Sequence, residues 1–159
     1  MEDPGEDSHV GLIETDLAIH TEAGETIAAT LTLPDEDGGR KRPAVLLCQG
    51  LSGIRTAVLP ELARIFAGQG LASLRFDYLG CGDSEGEPGW VDPVSRSRQA
   101  ALALAWLIAR DDIDSTKVGV YGHSYGGQTA ISVAARDRRV GAVVAVSSPG
   151  SGSDLLRAS

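Results

Sequence analysis

From Pro43 onward the sequence alternates short, wholly apolar runs with segments in which apolar residues recur every three or four positions. The runs are AVLLC, LASLRF, KVGVY and VGAVVAVS. A strand covered on both faces reads as a continuous apolar run, whereas a half-buried one alternates. Strand and helix units in this order predict a parallel sheet with helices on both faces. In LPELARIFAGQG, Leu59, Leu62, Ile65 and Phe66 share a face, and Gly68 and Gly70 end the helix. Asp92 reads as an N-cap followed by proline at the first helical position. The helix it opens runs to about Arg110, with Leu102, Ala105 and Ile108 on one face. A third helix is expected over residues 125–136.

Before Pro43 the pattern differs. Two β-like segments, about residues 10–20 and 25–33, flank the turn-former Gly24. In TIAATLTLP, Ile27, Ala29 and Leu31 fall on one face with Leu33 continuing it, as in a half-buried antiparallel pair. The charged PDEDGGRKRP is a surface turn, and residues 1–8 are an acidic, flexible tail. A chain of 159 residues, 42% of them apolar, is sized for one domain with a hydrophobic core. The predicted class is α/β: a mostly parallel sheet with an antiparallel N-terminal strand pair and helices on both faces.

Charge narrows the functions. Fourteen basic side chains stand against 22 acidic ones, a formal net charge of −8. Binding nucleic acid needs a basic face, and anionic membranes attract the same charge, so neither is an expected partner. Two cysteines, Cys48 and Cys81, do not make a disulfide framework in a chain of this length, nor do they line up further ligands for a metal. They read as structural thiols. The N-terminus lacks the pattern of an export signal, and no apolar run has the length of a membrane span. A soluble, cytoplasmic protein without cofactor or metal is the expectation.

The chemistry concentrates in VGVYGHSYGGQTA, residues 118–130. Gly122, Ser124 and Gly126 form G-x-S-x-G between an apolar strand and a helix. A serine on so tight a turn has a strained backbone and an exposed hydroxyl. The helix behind it aims N–H groups at the reacting centre, where negative charge develops. The bland alternative is that Gly126 and Gly127 merely let the helix pack close to the sheet. A sharper rival is the phosphate loop G-x-x-x-x-G-K-[ST], which Gly122 to Thr129 nearly matches. Gln128 stands where that loop has its lysine, and no later strand ends in an aspartate suited to magnesium. Nucleotide binding is disfavoured.

Three motifs in order, LLCQGLSG, RFDYLGCGDSEG and GHSYGG, resemble the N-terminal part of an α/β-hydrolase, over about residues 25–147. The resemblance implies a serine hydrolase of the esterase, thioesterase or acyl-transferase kind, acting on a small acyl ester or thioester. Ser124 would be the nucleophile. The backbone N–H groups of Leu51, after Gly50, and of Tyr125 would form the oxyanion hole. Where the family usually has His-Gly, this chain has Gln49-Gly50, which changes how the loop is braced. Asp77, Gly80, Gly82 and Ser84 match the family's turn after the fourth strand and are assigned structure rather than chemistry.

A serine hydroxyl needs a base to become a nucleophile. The family's order is serine, then acid, then histidine. After Ser124 the only acids are Asp137 and Asp154, and no histidine follows. Of the upstream histidines, His123 adjoins the serine on a turn where adjacent side chains diverge, His9 lies by the tail, and His20 sits in the first strand. Asp137 is expected at the wrong end of the sheet, and Asp154 matches only a minority placement of the acid. The expectation is therefore a truncated α/β-hydrolase fold: residues 9–159 make an incomplete domain lacking the C-terminal half, with the histidine and acid supplied from elsewhere. Its last apolar strand becomes an exposed edge open to self-association or a partner chain. The alternative is an inactive remnant or interaction module.

Overall fold

A computed structural model describes residues 11–35, 39–89 and 91–150. The predicted tail, His9 and Asp154 lie outside the described residues. Strands β1 (Leu12–His20) and β2 (Thr26–Pro34) form an antiparallel hairpin about Gly24, whose φ is 89°. Then follow β3 (Arg42–Cys48), α1 (Leu59–Gly68), β4 (Ala72–Phe76), α2 (Pro93–Ile108), β5 (Ile113–His123), α3 (Tyr125–Ala134) and β6 (Val140–Val146). The sheet order is β1-β2-β4-β3-β5-β6. β4, β3, β5 and β6 run parallel, and β2 joins β4 antiparallel. This is the mostly parallel sheet with an antiparallel N-terminal pair that the sequence predicts. It is also the strand arrangement of a partial α/β-hydrolase fold.

The period-two geometry of β3 divides the core. Val45 and Leu47 face α1 with Leu59 and Ala63, while Ala44, Leu46 and Cys48 join the larger cluster under α2 and α3. In β2, Ile27, Ala29 and Leu31 are buried together as expected, but Thr30 and Thr32 are buried as well, so the strand is covered on both faces rather than half-buried. Burying a leucine such as Leu46, Leu74 or Leu104 stabilises the fold by about 1.5–3 kcal/mol. These central residues fix where the C-terminal ends of β3 and β5 emerge, side by side.

Two helix faces differ from the sequence reading. In α1 the buried positions are Leu59, Ala63 and Ala67, and Ile65 is 56% exposed. The small alanines let the helix approach the sheet, so the large residues at the margins are only partly covered. In α2 the buried row is Arg96, Gln99, Ala100, Ala103, Leu104, Leu107 and Ile108. Leu102 is only partly buried, so the inward face is rotated from the expected one. The cap is as expected: the Asp92 carboxylate accepts from the N–H groups of Val94 and Ser95 at 3.3 and 2.7 Å.

Among the described residues β6 pairs with β5 alone and forms an edge of the sheet. Its residues from Gly141 to Val146 are exposed, Val144 by 51%. This is the apolar edge anticipated from the sequence. Among the described residues no helix is long and apolar enough to cross a membrane.

Candidate active site

β5 ends at His123 and α3 begins at Tyr125, so the strand-to-helix connection is one residue, Ser124. So short a junction leaves no loop to wrap a phosphate, which removes the nucleotide reading. Ser124 adopts φ 52° and ψ −130°. A side chain in that region is strained by about 1–3 kcal/mol, and such strain persists only where surrounding structure enforces it. The enforcement is visible. The Ser124 N–H donates to the Val146 carbonyl at 2.8 Å, and its own carbonyl accepts from Gly127 at 3.0 Å. A Cβ on Gly122 would collide with the Gly126 carbonyl, and one on Gly126 with the carbonyls of Cys48 and Gln49. The glycines thus do allow close packing, and what packs so closely is the turn against the end of β3.

That contact brings the loop after β3 to the serine. A Cβ built on Gly50 would lie 3.6 Å from the Ser124 Cβ and 3.4 Å from Nε2 of His123. Leu51, next in the chain, is exposed, and Tyr125 is the first residue of α3, where helix N–H groups have no intrahelical acceptor. Among the described residues neither the Leu51 nor the Tyr125 N–H donates a hydrogen bond. The Gln49 side chain, standing where the resemblance leads one to expect histidine, is buried with neither amide atom hydrogen-bonded.

The histidines and acids are distributed differently. His20 lies on β1, at the far edge of the sheet from β5. His123 leans over Gly50, and no hydrogen bond joins it to Ser124 among the described residues. Asp137 lies beyond the C-terminal end of α3 and pairs with Arg139 at 2.6 Å. None of these groups is placed as a base for Ser124.

The turn after β4 is structural, as expected, and is built on an ion pair. The buried Asp77 carboxylate accepts from the Arg55 N–H at 2.6 Å, from the Arg55 guanidinium at 2.6 Å and from the Asp83 N–H at 3.1 Å. Ser84 donates to the Asp77 carbonyl at 2.7 Å and accepts from the Ala28 N–H at 2.8 Å. Arg55 follows the Gly50–Leu51 loop in the chain, so this network anchors that loop to β4.

Sequence reasoning missed Arg96. It is 3% exposed, and its guanidinium donates to the carbonyls of Gly50 at 3.3 Å and Leu51 at 2.8 Å. It also stacks over the rings of Tyr78 and Tyr125, at 4.3 and 5.5 Å. One turn further along α2, Gln99 accepts from the Leu79 N–H at 2.8 Å. The available signal was positional: Arg96 and Gln99 precede Ala100, Ala103 and Leu107 on one helical row.

Behind the loop, burial pushes the Cys48 thiol from 9.0 up to about 12. The folded state therefore holds this proton where the unfolded chain releases it. The associated stability is present in full below pH 9.0 and is lost as the pH climbs toward about 12. Burial also raises Tyr78, whose effect begins only above 10.0. Between pH 9.0 and 10.0 urea denaturation should record a loss of about 1 kcal/mol due to Cys48. Cys48→Ala should flatten that interval; parallel curves for the two proteins would remove the explanation.

Comparison with known proteins identifies the family and the fold. The profile of the X-Pro dipeptidyl-peptidase (S15) family matches residues 23–158. An uncharacterized 31.7 kDa protein of Escherichia coli, from the traX-finO intergenic region, is 38% identical over 120 residues, covering 76% of this chain and 41% of its own. The thiohydrolase aneE of Aspergillus aculeatus is 33% identical over 110 residues, 69% of this chain and 35% of its own. The crystal structure of the α/β-hydrolase GrgF from Penicillium sp. superposes with a TM-score of 0.74 at 27% identity, covering 86% of this chain and 46% of that one. The chain thus spans less than half the length of each of these relatives.

Proposed function

The chain belongs to the X-Pro dipeptidyl-peptidase (S15) family of α/β-hydrolases, and on that footing we propose that it carries the nucleophilic half of a serine acyl-transfer site. Ser124 attacks the carbonyl of a small ester or thioester, and the N–H groups of Leu51 and Tyr125 receive the developing oxyanion. The observation that carries this reading is the one-residue junction at φ 52° with Gly50 packed against it. Such strain at a turn flanked by unengaged amides serves a reacting hydroxyl better than it serves packing. The ester or thioester class is supported by the relatives, among them a thiohydrolase. In this reading the histidine and the acid come from outside these residues, and the protein works in the cytoplasm, where Cys48 and Cys81 stay reduced.

Among the described residues no histidine is placed to serve Ser124, which favours a second reading, a binding module that keeps the fold without the chemistry. Chemical rescue separates the two. Imidazole in solution can stand in for a missing general base, whose contribution is typically about 10²–10⁴-fold. Release of thiol from an acetyl thioester should acquire a Ser124-dependent component that rises about tenfold or more with imidazole. Equal rates for the wild type and Ser124→Ala at every imidazole concentration would leave the binding module as the better account.

A further inference from the structure

We propose that Arg96 is the positioning residue of the oxyanion hole, orienting and polarising the Leu51 N–H through the peptide bond that joins Gly50 to Leu51. The inference rests on the acyl-transfer reading of Ser124. The Gly50 carbonyl and the Leu51 N–H belong to the same peptide plane, and no described peptide bond is cis. In a trans peptide the two groups point in opposite directions. Arg96 holds the Gly50 carbonyl from the α2 side at 3.3 Å. Its grip on the Leu51 carbonyl, at 2.8 Å, fixes the following plane as well. Two successive planes held by one rigid guanidinium leave the Leu51 N–H no freedom to turn inward, and it stays directed away from α2.

The cost of placing Arg96 there argues that the position matters. It is a cation 3% exposed, and no carboxylate lies within ion-pair distance of it among the described residues. An unpaired buried charge is expensive, and here two carbonyl oxygens, the Cys81 sulfur at 3.9 Å and the faces of Tyr78 and Tyr125, all of them uncharged groups, offset it. A structural strut could be built from apolar side chains at less cost. A positive charge behind the oxyanion loop, hydrogen-bonded to its carbonyls, also withdraws electron density from the peptide and strengthens the N–H as a donor. The ring of Tyr125 beneath the same guanidinium ties the second donor residue to the first.

Phenylboronic acid tests this on the 159-residue chain, because a boronate becomes tetrahedral and anionic when a serine oxygen adds to it. Boron NMR titrations compare the wild type, Arg96→Met, Arg96→Lys and Ser124→Ala, with benzamide as a planar, uncharged control ligand. Arg96→Met should weaken the tetrahedral adduct about tenfold to a hundredfold, less than the roughly 10²–10³-fold for losing an oxyanion donor outright, because the Leu51 N–H is misdirected rather than removed. Benzamide binding should change less than twofold, and Arg96→Lys should fall between wild type and Arg96→Met. Equal weakening of boronate and benzamide would reduce Arg96 to a structural strut, and an unchanged boronate affinity in Arg96→Met would overturn the proposal outright. If Arg96→Met does not fold, Arg96→Lys decides, with the same split expected and the same parallel change contradicting it. No tetrahedral adduct in the wild type, or one that survives in Ser124→Ala, would instead overturn the nucleophile reading and the inference with it.

Discussion

Asp77→Ala is expected to lower the stability of the folded chain by about 3–5 kcal/mol, the usual cost of removing one partner of a buried ion pair. The Asp77 side chain is 1% exposed and that of Arg55 is 9%, so the surviving guanidinium would keep its charge in a nearly dry site. The loss also strands two backbone donors, the N–H groups of Arg55 and Asp83. Asp83 meets the same guanidinium at 2.6 Å, but its side chain is 70% exposed. Solvent screens that second pair, so Asp83→Ala should cost only about 0–1 kcal/mol. Urea midpoints of the two variants check the contrast. Similar losses for both would mean that Arg55 is not committed to Asp77. With a total stability of about 5–15 kcal/mol for an ordinary domain, Asp77→Ala removes a large share. The loop bearing Gly50 and Leu51 should loosen first.

Gly126→Ala is the second large effect, and it falls on the site itself. The added methyl would occupy the space of the Cys48 and Gln49 carbonyls, which are backbone atoms with no rotamer to yield. Either α3 withdraws from β3 or the loop after β3 is displaced. Overpacking of this kind costs about 1–3 kcal/mol. Misplacing a reacting group by about 1 Å can cost on the order of 10²-fold in rate. Gly126→Ala should therefore slow covalent modification of Ser124 far more than its melting temperature alone would explain. A variant with wild-type reactivity would show that the close approach of turn and loop is not needed.

Much of this was legible in the sequence because the signals were local. The apolar runs of β3 to β6, the Asp92-Pro93 cap and the glycines around Ser124 each report their own backbone. Strand order is non-local: nothing in the residues of β2 states that it will lie against β4 rather than β3. The helix faces were misread for a related reason. Hydrophobic size marks Ile65, yet Ala63 and Ala67 touch the sheet, because close approach selects small side chains. Arg96 was missed although it shares the buried row of α2, because an arginine in a helix ordinarily reaches for water, and only its tertiary partners, among them the loop carbonyls and two tyrosine rings, make burial tolerable. Ser124 could be found by motif. Arg96 has no motif, and its helical position alone does not say what it holds.

The central claim is that the fold presents Ser124 as a nucleophile, and covalent mapping tests it most directly. The 159-residue chain is exposed to excess fluorophosphonate at mildly alkaline pH, digested, and the modified peptide identified by mass spectrometry. The expected result is a single adduct on Ser124, absent in Ser124→Ala and formed faster when imidazole is present. Modification spread over other hydroxyls, or none on Ser124 while the protein remains folded, would contradict the account.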